Sequence, residues 1–175
     1  MDLELATLSA HLGKTLAARG WMLATAESCT GGWIAEAVTA TAGSSAWFDR
    51  GFVTYSNEAK VELLDVSPAT LSRHGAVSEN TVHEMTAGAL THSHADVAVA
   101  ISGIAGPGGG SADKPVGTVC LAWRQRHGDA IAETRFFSGE RESIRRQIVV
   151  AALEGIIALA ASRPETQAGQ GGASK

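Results

Sequence analysis

The chain has few of the residues that build disulfide frameworks, metal clusters or basic surfaces. Two cysteines, Cys29 and Cys120, occur in 175 residues. That argues against a disulfide-stapled scaffold and a cysteine-rich zinc site, and it fits a reducing cytoplasm. Lysine is nearly as scarce, with only Lys14, Lys60, Lys114 and Lys175. The arginines are dispersed except around Arg141, Arg145 and Arg146, and the formal charge is −4, so no basic field exists for nucleic acid. No apolar run approaches the roughly 20 residues that span a bilayer. The start Met1-Asp2-Leu3-Glu4 is acidic where an export signal is basic, so neither membrane insertion nor export is expected. The six histidines show no metal-ligand spacing, and His92-Ser93-His94 beside Asp96 reads as a helix end.

What is present alternates between strand and helix patterns. Leu5, Leu8, Leu12 and Leu16 recur at helical spacing before Gly20, which predicts an amphipathic helix over 3–19. A short apolar run at 22–26 leads through a turn into a helix over 31–41. Residues 51–55 read as a second strand. Asn57 is the expected cap of a helix to Leu64, Ser67-Pro68 starts a short helical segment, and Ser78 caps a helix to about His92. The continuous apolar run 96–101 suits a central strand covered on both faces. Two further strands, 118–124 and 130–137, are expected as an antiparallel extension. A last helix, with Ser138 as its cap, carries Ile144, Ile148, Ala152, Ile156 and Leu159 on its core face. The sum is an α/β domain, a three-layer α/β/α sandwich with a largely parallel mixed sheet over 1–162, followed by a disordered tail over 163–175.

Chemistry concentrates at three places. The first is Thr25-Ala26-Glu27-Ser28-Cys29-Thr30-Gly31-Gly32, where a strand turns into a helix. Ser28 there can act as a nucleophile, and the N–H groups of Thr30, Gly31 and Gly32 are expected to hold an oxyanion or phosphate; the plainer reading is that Ser28 or Thr30 only caps the helix. Cys29 is a rival nucleophile with no neighbouring histidine as base. The second is Tyr55, the sole tyrosine, with Lys60 close behind it. A lysine near a helix N-terminus and an apolar strand has its neutral form favoured, which a serine nucleophile needs. The third is the glycine-rich loop 102–117. It matches no nucleotide-binding fingerprint, yet it allows close backbone approach to a ligand. Ser28, Tyr55 and Ser102 all fall at carboxyl ends of strands, the edge where a parallel sheet binds ligands. Arg141 and Arg145, one turn apart, can share a face and grip an anion.

These residues carry a resemblance. The turn quoted above, Gly51-Phe52-Val53-Thr54-Tyr55-Ser56-Asn57-Glu58-Ala59-Lys60, His74-Gly75-Ala76-Val77-Ser78-Glu79, Ser102-Gly103-Ile104-Ala105-Gly106-Pro107 and Lys114-Pro115-Val116-Gly117-Thr118-Val119 closely resemble the CinA C-terminal domain family over about 5–160. The resemblance implies hydrolysis of the carboxamide of nicotinamide mononucleotide to nicotinic acid mononucleotide and ammonia, with no metal or organic cofactor. It places a Ser/Lys dyad on Ser28 and Lys60, with Tyr55 in support. Glu27, Thr30, Gly31, Gly32, Ser102, Gly103, Gly106, Arg141 and Arg145 are the expected substrate-binding set. The N-terminal domain fused to the longer members is not expected here, so the pyrophosphatase activity associated with it is not carried over. A homodimer or larger homo-oligomer is expected. Two other functions fit the same residues: a nucleotide-binding or assembly module without turnover, and an amidase for another small amide.

Overall fold

A computed structural model describes residues 2–162, so the tail expected over 163–175 lies outside the described residues. The elements in chain order are α1 (Leu3–Arg19), β1 (Leu23–Glu27), α2 (Trp33–Thr39), β2 (Phe48–Val53), α3 (Asn57–Leu64), α4 (Pro68–His74), α5 (Glu79–Thr91), β3 (Val97–Gly103), β4 (Thr118–Gln125), β5 (Ala130–Phe136) and α6 (Arg141–Ala161). A 3₁₀ turn at Ser44–Ala46 precedes β2. The five strands form one sheet in the order β2-β1-β3-β4-β5. β1 runs parallel to both β2 and β3, and β4 and β5 continue antiparallel. The expected three-layer mixed sheet is therefore what forms, with β3 at its centre.

The alternation of side-chain size along the inner strands decides what covers each face. Leu23, Val97, Val99 and Ile101 point to one side, where they pack with α1, α2 and α6 through Leu12, Ile34, Ile148 and Leu153. Ala24, Ala26, Ala98, Ala100 and Ala122 point to the other, where their small size lets α5 approach through Val82, Met85 and Ala89, with Leu64 of α3 beside it. Every residue of β1 is buried, because it has a strand on each side and helices above and below. The first and last helices close the layer: Arg146 of α6 pairs with Asp2 and Glu4, and Arg19 at the other end of α1 donates to the Ser162 carbonyl at 2.9 Å. Among the described residues no helix is long and apolar enough to cross a membrane.

Besides shifts of one or two residues at β1 and β3, four boundaries differ from expectation. β2 begins at Phe48 and ends at Val53, leaving Tyr55 beyond it. As an edge strand interrupted by Asp49, Arg50 and Gly51, it carries no continuous apolar signal. Ser56, not Asn57, caps α3 by accepting from the Ala59 N–H. Glu140, not Ser138, occupies the cap position of α6. α2 is shorter than 31–41 because Gly31 and Gly32 have φ of 62° and 98°, outside helical space, and belong to the turn.

Candidate active site

The carboxyl ends of the three parallel strands meet at the turn after β1. The Ser28 N–H donates to the Ile101 carbonyl at 3.1 Å and the Thr54 N–H to the Glu27 carbonyl at 2.8 Å, so the ladder continues past the strand ends and fixes the start of the turn. The Gly31 N–H then donates to the Ser28 carbonyl at 3.0 Å, closing the turn. Ser28 is held here at 8% exposure.

Glu27 has a different role from the expected one. Its buried carboxylate swings across the turn and accepts from the Thr30 hydroxyl at 2.7 Å and from the N–H groups of Gly32, Ile34 and Ala35 at 3.1, 3.0 and 2.9 Å. The anion favoured at the N-terminus of α2 is thus the protein's own carboxylate. This corrects the expectation of an open anion site. The Gly31 and Gly32 N–H groups are committed internally, and of the three expected donors only the Thr30 N–H has no acceptor among the described residues. Glu27 and the Thr30 side chain brace the turn, and neither lines the cavity beside Ser28.

Lys60 reaches the turn from the middle of α3. It is 1% exposed, and its Nζ lies 3.1 Å from Ser28 Oγ, 2.8 Å from the Thr54 carbonyl, and 3.4 and 3.5 Å from the carbonyls of Tyr55 and Ser56. Burial pushes its pKa below the ordinary lysine value, outweighing the opposing pull that a Cys29 thiolate would exert. In the neutral amine two N–H bonds can serve carbonyls while the lone pair faces the Ser28 hydroxyl. Cys29 is the opposite case: burial pushes its thiol up to about 11, so it stays protonated at neutral pH and is a poor nucleophile.

Ser28, Cys29, Tyr55, Lys60, Ser102, Gly103 and Arg141 line one cavity of about 290 Å³, together with Ile104, Ala105, Gly108 and Gly109 of the glycine-rich loop and Ala76 and Val77 of the α4–α5 connector. The two arginines share a recess of about 400 Å³ with Trp33 and Glu142, as their spacing predicts, but only Arg141 also lines the cavity. Arg141 sits at the mouth, donating to the Gly106 carbonyl at 2.6 Å and to the Tyr55 hydroxyl at 3.3 Å. Arg145 lies behind the turn, donating to the carbonyls of Cys29 and Thr30 at 3.1 and 2.8 Å with its guanidinium 5.2 Å from the Trp33 ring centre. It braces the Ser28 turn and does not line the cavity. Gly106 contributes a carbonyl to Arg141 and no wall. Tyr55 is 62% exposed, so its side chain belongs to the rim, while its carbonyl serves Lys60.

Reading residue by residue misses Ala76 and Val77, whose only signal is the His74-Gly75-Ala76-Val77-Ser78-Glu79 motif. A larger recess of about 540 Å³ between α1 and α2 is lined by Leu5, Ala6, Trp33, Ala37 and Ala40 with Asp2 and Glu36, and holds no nucleophile beside a base. Among the described residues no group of three His, Cys, Asp or Glu is placed to hold a metal ion.

Comparison with known proteins gives the family. The family described as CinA C-terminal domain matches residues 5–160. The nicotinamide-nucleotide amidohydrolase PncC of Escherichia coli K12 is 56% identical over 153 residues, covering 87% of this chain and 93% of that protein. The protein of the same name from Pseudomonas putida is 51% identical over 156 residues, covering 87% and 95%. The crystal structure of the competence/damage inducible protein CihA from Agrobacterium tumefaciens shares the fold with a TM-score of 0.87 at 49% identity, covering 91% of this chain and 99% of that one. The chain belongs to the CinA C-terminal domain family.

Proposed function

We propose that this protein is a nicotinamide-nucleotide amidase that hydrolyses the carboxamide of nicotinamide mononucleotide through a Ser28/Lys60 dyad and an acyl-enzyme. The observation that carries the reading is the buried Lys60 amine 3.1 Å from the Ser28 hydroxyl, inside a cavity at the carboxyl end of a parallel sheet. The amidohydrolase relatives support the substrate class.

In this reading neutral Lys60 accepts the Ser28 proton as Oγ bonds to the carboxamide carbon. The developing oxyanion is met by N–H groups of the glycine-rich wall of the cavity. The C–N bond breaks, Lys60 returns the proton to the departing ammonia, and a nicotinoyl ester remains on Ser28. Water attacks that ester with Lys60 again as base, giving the carboxylate and free Ser28. The pyridinium charge of the substrate further disfavours an ammonium at Lys60, and Arg141 at the cavity mouth is the group to meet the phosphate.

The test is ammonia and nicotinic acid mononucleotide release from nicotinamide mononucleotide by the purified protein, with Ser28→Ala and Lys60→Met alongside. Turnover by the wild type and its loss in both folded variants supports the reading. A bound, unhydrolysed nucleotide on the wild type would point to a binding module, and turnover only of other small amides would reassign the substrate.

A further inference from the structure

We propose that Lys114 is a positioning residue that latches two walls of the Ser28 cavity together and so sets the width available to the carboxamide ring. The inference rests on the amidase reading for what the cavity holds, but the latch itself is a matter of geometry. The loop between β3 and β4 is closed at its base, where the Ile104 N–H donates to the Thr118 carbonyl at 2.9 Å and the Gly117 N–H to the Ile104 carbonyl at 2.7 Å. Beyond that base, Gly106, Gly108, Gly109 and Gly110 have no side chains with which to hold a position. The wall residues Gly108 and Gly109 lie in this stretch.

The loop regains order at a turn that presents Lys114. The Ser111 N–H donates to the Lys114 carbonyl at 2.9 Å, and the Lys114 N–H donates to Ser111 Oγ at 3.1 Å. The half-buried Lys114 side chain then leaves its own loop, and Nζ donates to the carbonyls of Val77 at 2.6 Å and His74 at 3.1 Å. Between these two acceptors Gly75 adopts φ of 76°, the turn that brings both carbonyls to one ammonium. His74 ends α4, where a cation is favoured by the exposed carbonyls. The acceptors belong to the connector that supplies Ala76 and Val77 to the cavity, so one ammonium ties the glycine wall to the connector wall. Charge-assisted bonds of this kind are the stronger class, and two of them restrain a loop that is otherwise held at Gly106 by Arg141.

The test compares wild type with Lys114→Met and with Lys114→Cys before and after aminoethylation, which rebuilds an ammonium of nearly lysine length. The native thiols, Cys29 and Cys120, are both buried, and alkylated wild type is the control. Amide hydrogen exchange on the ligand-free protein is expected to quicken in both 74–78 and 105–117 on loss of the ammonium. KM for nicotinamide mononucleotide should rise about tenfold with kcat within about twofold, and aminoethylation should reverse both changes. If Lys114→Met does not fold, Lys114→Arg, which keeps the charge, is expected to show a smaller shift of the same kind. Unchanged exchange in the two segments, or a KM rise that aminoethylation does not reverse, would overturn the latch. If the wild type does not hydrolyse the nucleotide, the amidase reading fails, and the exchange result still decides the latch.

Discussion

The two sides of the cavity are held by opposite means. On one side the Ser28 turn is bonded from within: Glu27 collects four hydrogen bonds across it, two glycines supply its conformation, and Arg145 grips its carbonyls from behind. On the other side the glycine-rich loop is held at few points, by cations reaching across gaps from Arg141 and Lys114. A nucleophile must keep within a fraction of an ångström of its base, whereas a substrate wall must admit and release a ligand. The difference teaches that damage to the first side should appear in kcat and stability, and damage to the second in KM.

The largest effect expected is from Ser28→Ala or Lys60→Met, each lowering kcat by about 10³-fold or more while the fold is kept, measured by ammonia release and circular dichroism. Residual turnover near wild type in either would remove that residue from the chemistry. Next is Glu27→Gln. It replaces a buried carboxylate whose oxygens accept every bond with an amide that must turn two donors toward donors. Stability should fall by about 2–4 kcal/mol and kcat with it, read by denaturant unfolding and steady-state kinetics. A Glu27→Gln variant with wild-type stability and altered KM alone would return Glu27 to the substrate-binding set.

The two arginines give the sharpest form of the comparison, because they differ by one helical turn. Arg145→Gln should lower kcat about tenfold with little change in KM, and Arg141→Gln should raise KM about tenfold with little change in kcat. The reverse assignment would mean that the phosphate is met behind the turn. The pH profile comes next. Lys60 must lose its proton to act and its folded pKa is lowered by burial, so kcat/KM should rise with pH through a single inflection below 10.5. An inflection at or above that value would exclude the buried amine as base. Smallest is the pair that joins the terminal helices. The Arg146 guanidinium holds the Asp2 carboxyl at about 2, below its ordinary 3.8, so the stability it adds is present above 3.8 and is lost as pH falls towards 2. Asp2→Asn should lower the midpoint of thermal unfolding slightly at neutral pH, and the difference should vanish near pH 2.

Much of this arrangement is legible in the sequence. The layer order follows from apolar runs and their punctuation; Ser28 stands out because it follows an apolar strand at a helix start, and Lys60 because it is one of four lysines and falls early in a capped helix behind the sole tyrosine. What patterning does not carry is direction. Periodicity places Glu27 at the end of a strand, but the carboxylate folds forward to residues five, seven and eight places on, and strand patterning says nothing about that. Spacing makes Arg141 and Arg145 equals, and only the carbonyls of Cys29, Thr30 and Gly106 tell them apart. The caps of α3 and α6 fall one or two residues away from Asn57 and Ser138, because neighbouring polar side chains offer the same signal. A helix start attracts an anion, which makes the oxyanion site the natural expectation there; the anion is already in the sequence, as Glu27.

The pairing of α1 with α6 bears on how the protein comes into being. A nascent chain that has emerged as far as Ala95 already carries Ser28 and Lys60, but it lacks the central strand β3, the glycine wall and both arginines. The apolar face that α1 turns to α6 has no partner until α6 leaves the ribosome. Closure of α1 on α6 therefore delays assembly of the Ser28 cavity until α6 has been made, so a product truncated before α6 is expected to be inert as well as unstable.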